Sequence, residues 1–81
     1  MSSVAALEVV TAKRDLKEAV RSIAKYGTSD PLFSLWLNKA DAASTSLRLN
    51  GHDVAPIIAD WEIDLRQDGL PYVTDALVVV R

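Results

Sequence analysis

The chain contains no cysteine, which excludes a disulfide framework and a thiolate zinc site and leaves nothing that demands an oxidising compartment. Its three glycines, Gly27, Gly51 and Gly69, stand far apart, so no glycine-rich loop is available to cradle a phosphate. His52 is the only histidine. With Asp53 beside it the pair has the makings of a general base, but no nucleophile motif accompanies it and nothing activates the hydroxyl side chains at 44–46. The longest unbroken apolar run, Ala76 to Val80, is far short of a membrane span. At the N-terminus no charged segment precedes an apolar stretch, and Glu8, Lys13, Arg14 and Asp15 interrupt any leader pattern. These absences lead to the expectation of a cytoplasmic, non-enzymatic protein with no catalytic residue, no cofactor and no metal.

What the chain does have is apolar material: 49% of its 81 residues, ample for a globular fold and too much for a disordered one. A single domain of this length buries only about 60–65% of the surface its unfolded chain exposes, so the core must be economical. The net charge is −2 but unevenly spread. Residues 1–44 hold six Lys/Arg and five Asp/Glu, giving +1, whereas residues 45–81 hold three and six, giving −3.

From about Val4 to Tyr26 the apolar residues Val9, Ala12, Leu16, Ala19, Val20 and Ile23 recur at three- and four-residue steps, the pattern of an amphipathic helix. Gly27 stands where a left-handed residue would end it, and Lys25 suits the negative end of the helix dipole. Ser3 is a candidate N-cap, although Val4 to Val10 is apolar nearly all round and is equally compatible with an extended start. Asp30-Pro31 marks the beginning of a second helix, because Asp30 can accept from free amide groups and Pro31 has no amide to leave unpaired. That helix is expected to reach about Ala43.

The remainder reads as a sheet. Ile57, Ala59, Trp61, Ile63 and Leu65 alternate with Ile58, Asp60, Glu62, Asp64 and Arg66, a period of two that predicts a strand with one dry and one wet face. Leu47-Arg48-Leu49 followed by Asn50-Gly51 predicts a short strand and a tight hairpin turn, and Asp68-Gly69 predicts another. The expected fold is therefore α+β: a helical hairpin over residues 4–43 packed on a three-stranded antiparallel meander of residues 46–50, 57–66 and 71–80. Leu16, Val20, Ile23, Phe33, Leu37, Trp61, Ile63 and Leu65 are the expected core.

Asp60, Glu62 and Asp64 would share one strand face, a spacing open to a hard cation, although a wet sheet face accounts for them without one. Lys13, Lys17, Arg21 and Lys25 fall at four-residue steps and form a basic stripe on the first helix, with Arg14 at its margin. These are the candidate phosphate-contacting residues, and they carry the reading of a nucleic-acid-associated regulator. The larger signal is surplus apolar surface. A strand from Tyr72 to Val80 would be apolar on both faces, so Trp36, Val73, Leu77 and Val79 are the candidate interaction surface. Its uncharged edge predicts pairing with a second copy about a two-fold axis.

The run Leu47-Arg48-Leu49-Asn50-Gly51-His52-Asp53-Val54, with Trp61-Glu62-Ile63 and Leu70-Pro71-Tyr72-Val73-Thr74, resembles short proteins of unknown role encoded by actinobacterial phages and other mobile elements. The likeness covers the C-terminal half. It implies a phage-encoded accessory protein that binds and modulates a host protein, which agrees with the expectation of a protein–protein interaction module.

Overall fold

Helix-forming signals run through both halves of the chain. The computed structural model describes residues 3–81, and among them it contains four α-helices and no strand. These are α1 (Ser3–Tyr26), α2 (Phe33–Leu49), α3 (Val54–Gln67) and α4 (Val73–Val80). At 1.5 Å per residue α1 is about 36 Å long, nearly the whole 39 Å long axis of the molecule. It packs most extensively on α2 and next on α4.

The first helical hairpin follows its sequence signals. Gly27 adopts φ +84° and its amide donates to the Ile23 carbonyl, 2.8 Å away, closing α1 where the left-handed residue was expected. Asp30 does not cap α2, whose N-cap is Leu32 without a side-chain bond; its Oδ1 accepts from the Leu32 amide at 2.8 Å and its carbonyl from the Phe33 amide at 3.0 Å. Asp30-Pro31-Leu32 therefore forms a lead-in turn, and α2 proper starts two residues after the proline. The helix also runs past Ala43 to Leu49. Helical structure continues through the apolar start of α1 as well; the side chain of Ser3 lies outside what the structure describes.

Among the described residues there is no sheet, so the α+β expectation is corrected to an all-helical fold. Residues 46–50 are the end of α2, residues 57–66 lie within α3, and residues 71–80 are a turn followed by α4. Both dipeptides expected as hairpin turns are helix C-termini. A type I′ turn needs positive φ at both central residues, but Asn50 has φ −95° and only Gly51 is positive at +83°. The His52 amide reaches back to the Leu47 carbonyl at 2.9 Å and Gly51 to Arg48 at 3.0 Å, the paired bonds of a Schellman motif. Asp68-Gly69 repeats it, with Leu70 bonded to Leu65 and Gly69 to Arg66.

In α3 the strand-like alternation is a coincidence of periods. Ile57, Trp61 and Leu65 are four residues apart, so they satisfy a helical face as well as an alternating one. The burial decides it. Ile58, assigned to the wet face of a strand, is fully buried, whereas Ile63 is 66% exposed. Val54, Ile58 and Leu65 form the buried stripe, with Ile57 and Trp61 partly buried beside it. Asp53 caps the helix by accepting from the Ala55 amide at 3.3 Å. Pro56 falls in the first turn, where a missing amide hydrogen breaks no intrahelical bond. Glu62 and Arg66 form an i,i+4 ion pair at 3.1 Å, an arrangement that supports a helix by about 0.3–0.5 kcal/mol.

α4 is the larger surprise, since Val73, Val78, Val79 and Val80 favour strands. Val73, Ala76, Leu77 and Val80 are buried, an i, i+3, i+4, i+7 set. An isolated helix of eight residues is unstable, so this one exists through packing on α1. With no strand edge at Leu77 to Val80, the expected edge-to-edge dimer has no structural basis.

One core joins all four helices. It contains Leu16, Val20 and Ile23 of α1, Leu47 of α2, Ile58 and Leu65 of α3, and Leu77 of α4. Each such side chain contributes about 1.5–3 kcal/mol by leaving water. Of the remaining expected core residues, Phe33 and Trp61 are partly buried against this cluster, Leu37 is half-buried, and Ile63 lies outside it. The α3–α4 connection is tied to the end of α1: the Tyr72 amide donates to the Ala24 carbonyl at 2.8 Å, and Arg21 pairs with Asp68 at 2.7 Å. Both members of that ion pair are about half exposed, so it contributes only ~0.2–1 kcal/mol.

Candidate functional site

Two grooves flank α1, and they differ in chemistry. The first lies between the N-terminal half of α1 and the C-terminal half of α2 and encloses ≈390 Å³. Val4, Leu7, Thr11 and Ala12 line its α1 wall, with Glu8 and Asp15 at the rim. Ala42, Ala43, Ser46 and Lys39 line the α2 wall. The geometry follows from sequence spacing. Lys39, Ala42, Ala43 and Ser46 follow one another at steps that keep them on one face of α2. Val4 is 64% exposed and Leu7 65% exposed; a monomer gains nothing by presenting such residues in a groove.

The second groove, ≈320 Å³, lies between α1 and α3. Lys13, Arg14 and Lys17 form one wall and Ile57, Asp60 and Trp61 the other.

The candidate interaction residues do not form one surface. Val73 and Leu77 are buried in the core on α4. Trp36 is half-buried, with its Nε1 enclosed and without a hydrogen-bond partner among the described residues, and the Lys39 ammonium lies 5.7 Å from its ring centroid. Only Val79 is exposed. The basic stripe fares differently: Lys13, Lys17, Arg21 and Lys25 are all exposed along α1. Arg21 is engaged by Asp68 and Lys25 lies 5.3 Å from the Tyr26 ring centroid. Lys13 and Lys17 have no ion-pair partner among the described residues.

The acidic stripe is broken up by the helix. Asp60 and Asp64, four residues apart, share a face, whereas Glu62 points away from them and pairs with Arg66 and with Arg81 at 3.4 Å. Among the described residues no group of three or more His, Asp or Glu side chains is placed to hold a metal ion. The Asp53 carboxylate is occupied as the cap of α3, and His52 continues the C-terminal motif of α2 through its amide. Among the described residues no helix is long and apolar enough to cross a membrane.

Neither groove was anticipated from the sequence. The signal for the first was present in the all-round apolar start of α1, Val4 and Leu7, whose counterparts Ala42, Ala43 and Ser46 fall on a helix once α2 is known to continue past Ala43. The second needed α3 to be a helix before Trp61 could face the lysines. No protein-family model, curated protein or solved structure matches this chain.

Proposed function

We propose that this protein is a non-enzymatic interaction module that receives an amphipathic helix of a partner protein in the α1–α2 groove. The observation that carries this reading is the apolar seam itself. Val4, Leu7 and Ala12 on one helix and Ala42 and Ala43 on the other line an open groove between two antiparallel rods. Recognition of a helix in a groove uses this spacing, because the guest's own i, i+3, i+7 side chains dock between two such rows. The groove's charges, Glu8, Asp15 and Lys39, sit at its margins, which suits orientation of a guest more than chemistry on a substrate. The resemblance to phage and mobile-element proteins, read in the sequence of the C-terminal half alone, favours a host protein as the partner.

The test uses Leu7→Glu and Ala42→Glu. Both positions are exposed, so the helical circular dichroism should stay unchanged, whereas charge at Leu77 would attack the core. Affinity capture from the source cell should recover a partner with the parent chain and with Val78→Glu, and lose it with both groove variants. Equal recovery by all four chains would refute the groove. Sedimentation at micromolar concentration that reports twice the chain mass, reverting to one in Leu7→Glu, would identify the occupant as a second copy.

A further inference from the structure

In a chain of net charge −2, the unpaired positive charge among the described residues gathers at the α1–α3 cleft, with Arg48 on α2 standing apart. Of the basic stripe on α1, Arg21 is neutralised by Asp68 and Lys25 is drawn over Tyr26. Lys13 and Lys17 are unpaired among the described residues, and they lie one helical turn apart at the α1–α3 cleft together with Arg14. Arg14 itself meets only its chain neighbour Asp15, at 3.6 Å, with a side chain 73% exposed, a contact too solvated to quench its charge. Three cations therefore face Asp60 across the cleft, and with Asp15 counted the local charge is still +1.

The opposite wall is aromatic. Trp61 packs part of its surface on the core and turns the rest to the cleft, where Ile57, one turn earlier, extends the apolar floor. An indole that lines a cleft offers a stacking surface to a base, and cations on the facing wall supply phosphate contacts. Inorganic anions would use only the lysines and arginine, and a purely apolar guest only the floor.

We infer that the α1–α3 cleft binds a nucleotide unit of single-stranded nucleic acid, the base stacked on Trp61 and the phosphates held by Lys13, Arg14 and Lys17. A duplex cannot use the site, because its bases are already stacked on one another. Asp60 adds selectivity. A carboxylate at the cleft accepts from an exocyclic amino group, as acidic side chains do from cytosine N4, and finds no such donor on thymine. The site involves different residues from the α1–α2 groove, so the two readings stand or fall separately.

The experiment is fluorescence anisotropy of a labelled ten-residue oligodeoxycytidine titrated with the intact chain, beside the matching oligothymidine, cytidine monophosphate as competitor and inorganic phosphate as competitor. Oligodeoxycytidine should bind more tightly than oligothymidine, and Asp60→Asn should narrow that difference. Three phosphate contacts predict a log–log salt slope of about −2, and Lys13→Glu or Lys17→Glu should weaken binding and flatten the slope by about one. Both lysines are exposed, so these variants should keep their helical circular dichroism. Absence of binding to either oligonucleotide at low salt overturns the inference, as does binding that Lys13→Glu and Lys17→Glu leave unchanged. Competition by cytidine monophosphate as strong as that of unlabelled strand would overturn the assignment to a strand and leave a mononucleotide site. Equally strong competition by inorganic phosphate would show that Trp61 takes no part.

Discussion

The two helical hairpins of this molecule share a grammar and differ in substance. Each ends its first helix near a left-handed glycine, Gly27 or Gly69, passes through a proline, Pro31 or Pro71, and resumes two residues later at Phe33 or Val73. In the α1–α2 pair, Ala12, Ala19, Ala24, Ala40 and Ala43 are five of the ten buried residues among those described. Small side chains let two long helices approach closely and bring their own length to the contact. In the α3–α4 pair the buried residues are Val54, Ile58, Leu65, Val73, Leu77 and Val80, with only Ala76 small. Short helices with bulky side chains cannot hold each other alone, and this pair is completed by the flank of α1. One hairpin thus resembles a scaffold and the other a cover, within a single core.

The largest expected effect tests whether that core is one unit. Leu47 in the scaffold and Leu65 in the cover are both essentially buried, at 0% and 2% exposure. Leu47→Ala and Leu65→Ala should each cost about 2–5 kcal/mol through lost transfer energy and the cavity left behind. Each should melt in a single transition seen alike by circular dichroism and by tryptophan fluorescence. A Leu65→Ala chain that melts in two steps would separate the cover from the scaffold.

A smaller effect distinguishes the two glycines. Both have φ near +80°, so alanine at either position carries the left-handed penalty of about 1–2 kcal/mol. A Cβ on Gly69 meets nothing within 4 Å, whereas one on Gly27 lies 3.2 Å from the Tyr72 ring. Gly27→Ala must therefore also displace the residue whose amide ties the cover to α1. Urea midpoints should fall further for Gly27→Ala than for Gly69→Ala; equal losses would mean that the Tyr72 contact is slack.

The same contrast explains which parts of the fold were legible. The scaffold could be read because α1 is long enough for a 3.6-residue period to be unmistakable, and because Gly27 and Asp30 mark its turn. The cover was misread as strands for a physical reason. Its helices span two to four turns, over which Ile57, Trp61 and Leu65 fit both periods. Asn50-Gly51 and Asp68-Gly69 serve equally as hairpin turns or as helix ends. Three local signals favoured helix: the Asp53 cap before Pro56, the Glu62–Arg66 pair, and acidic Asp75 in the first turn of α4. The grooves were legible only in part, because the basic face of α1 stands in the sequence while its aromatic counterpart depends on packing between distant helices.

The smallest expected effect carries the most information per kilocalorie, because its sign depends on the fold. Val78 is 71% exposed in the middle of α4, so its side chain contributes little by burial. What it does contribute is the rotamer restriction of a β-branched residue against the preceding turn. Val78→Ala should therefore raise stability by about 0.5 kcal/mol, the difference in helix propensity. In a strand the same change would remove a β-branched residue from a pleated surface and lower stability. Denaturant midpoints measured on the parent and variant at matched slopes would resolve a difference of this size. A gain would support the reading in which eight residues rich in valine are held helical by the flank of α1, and a loss would return the segment to the sheet that its composition suggests.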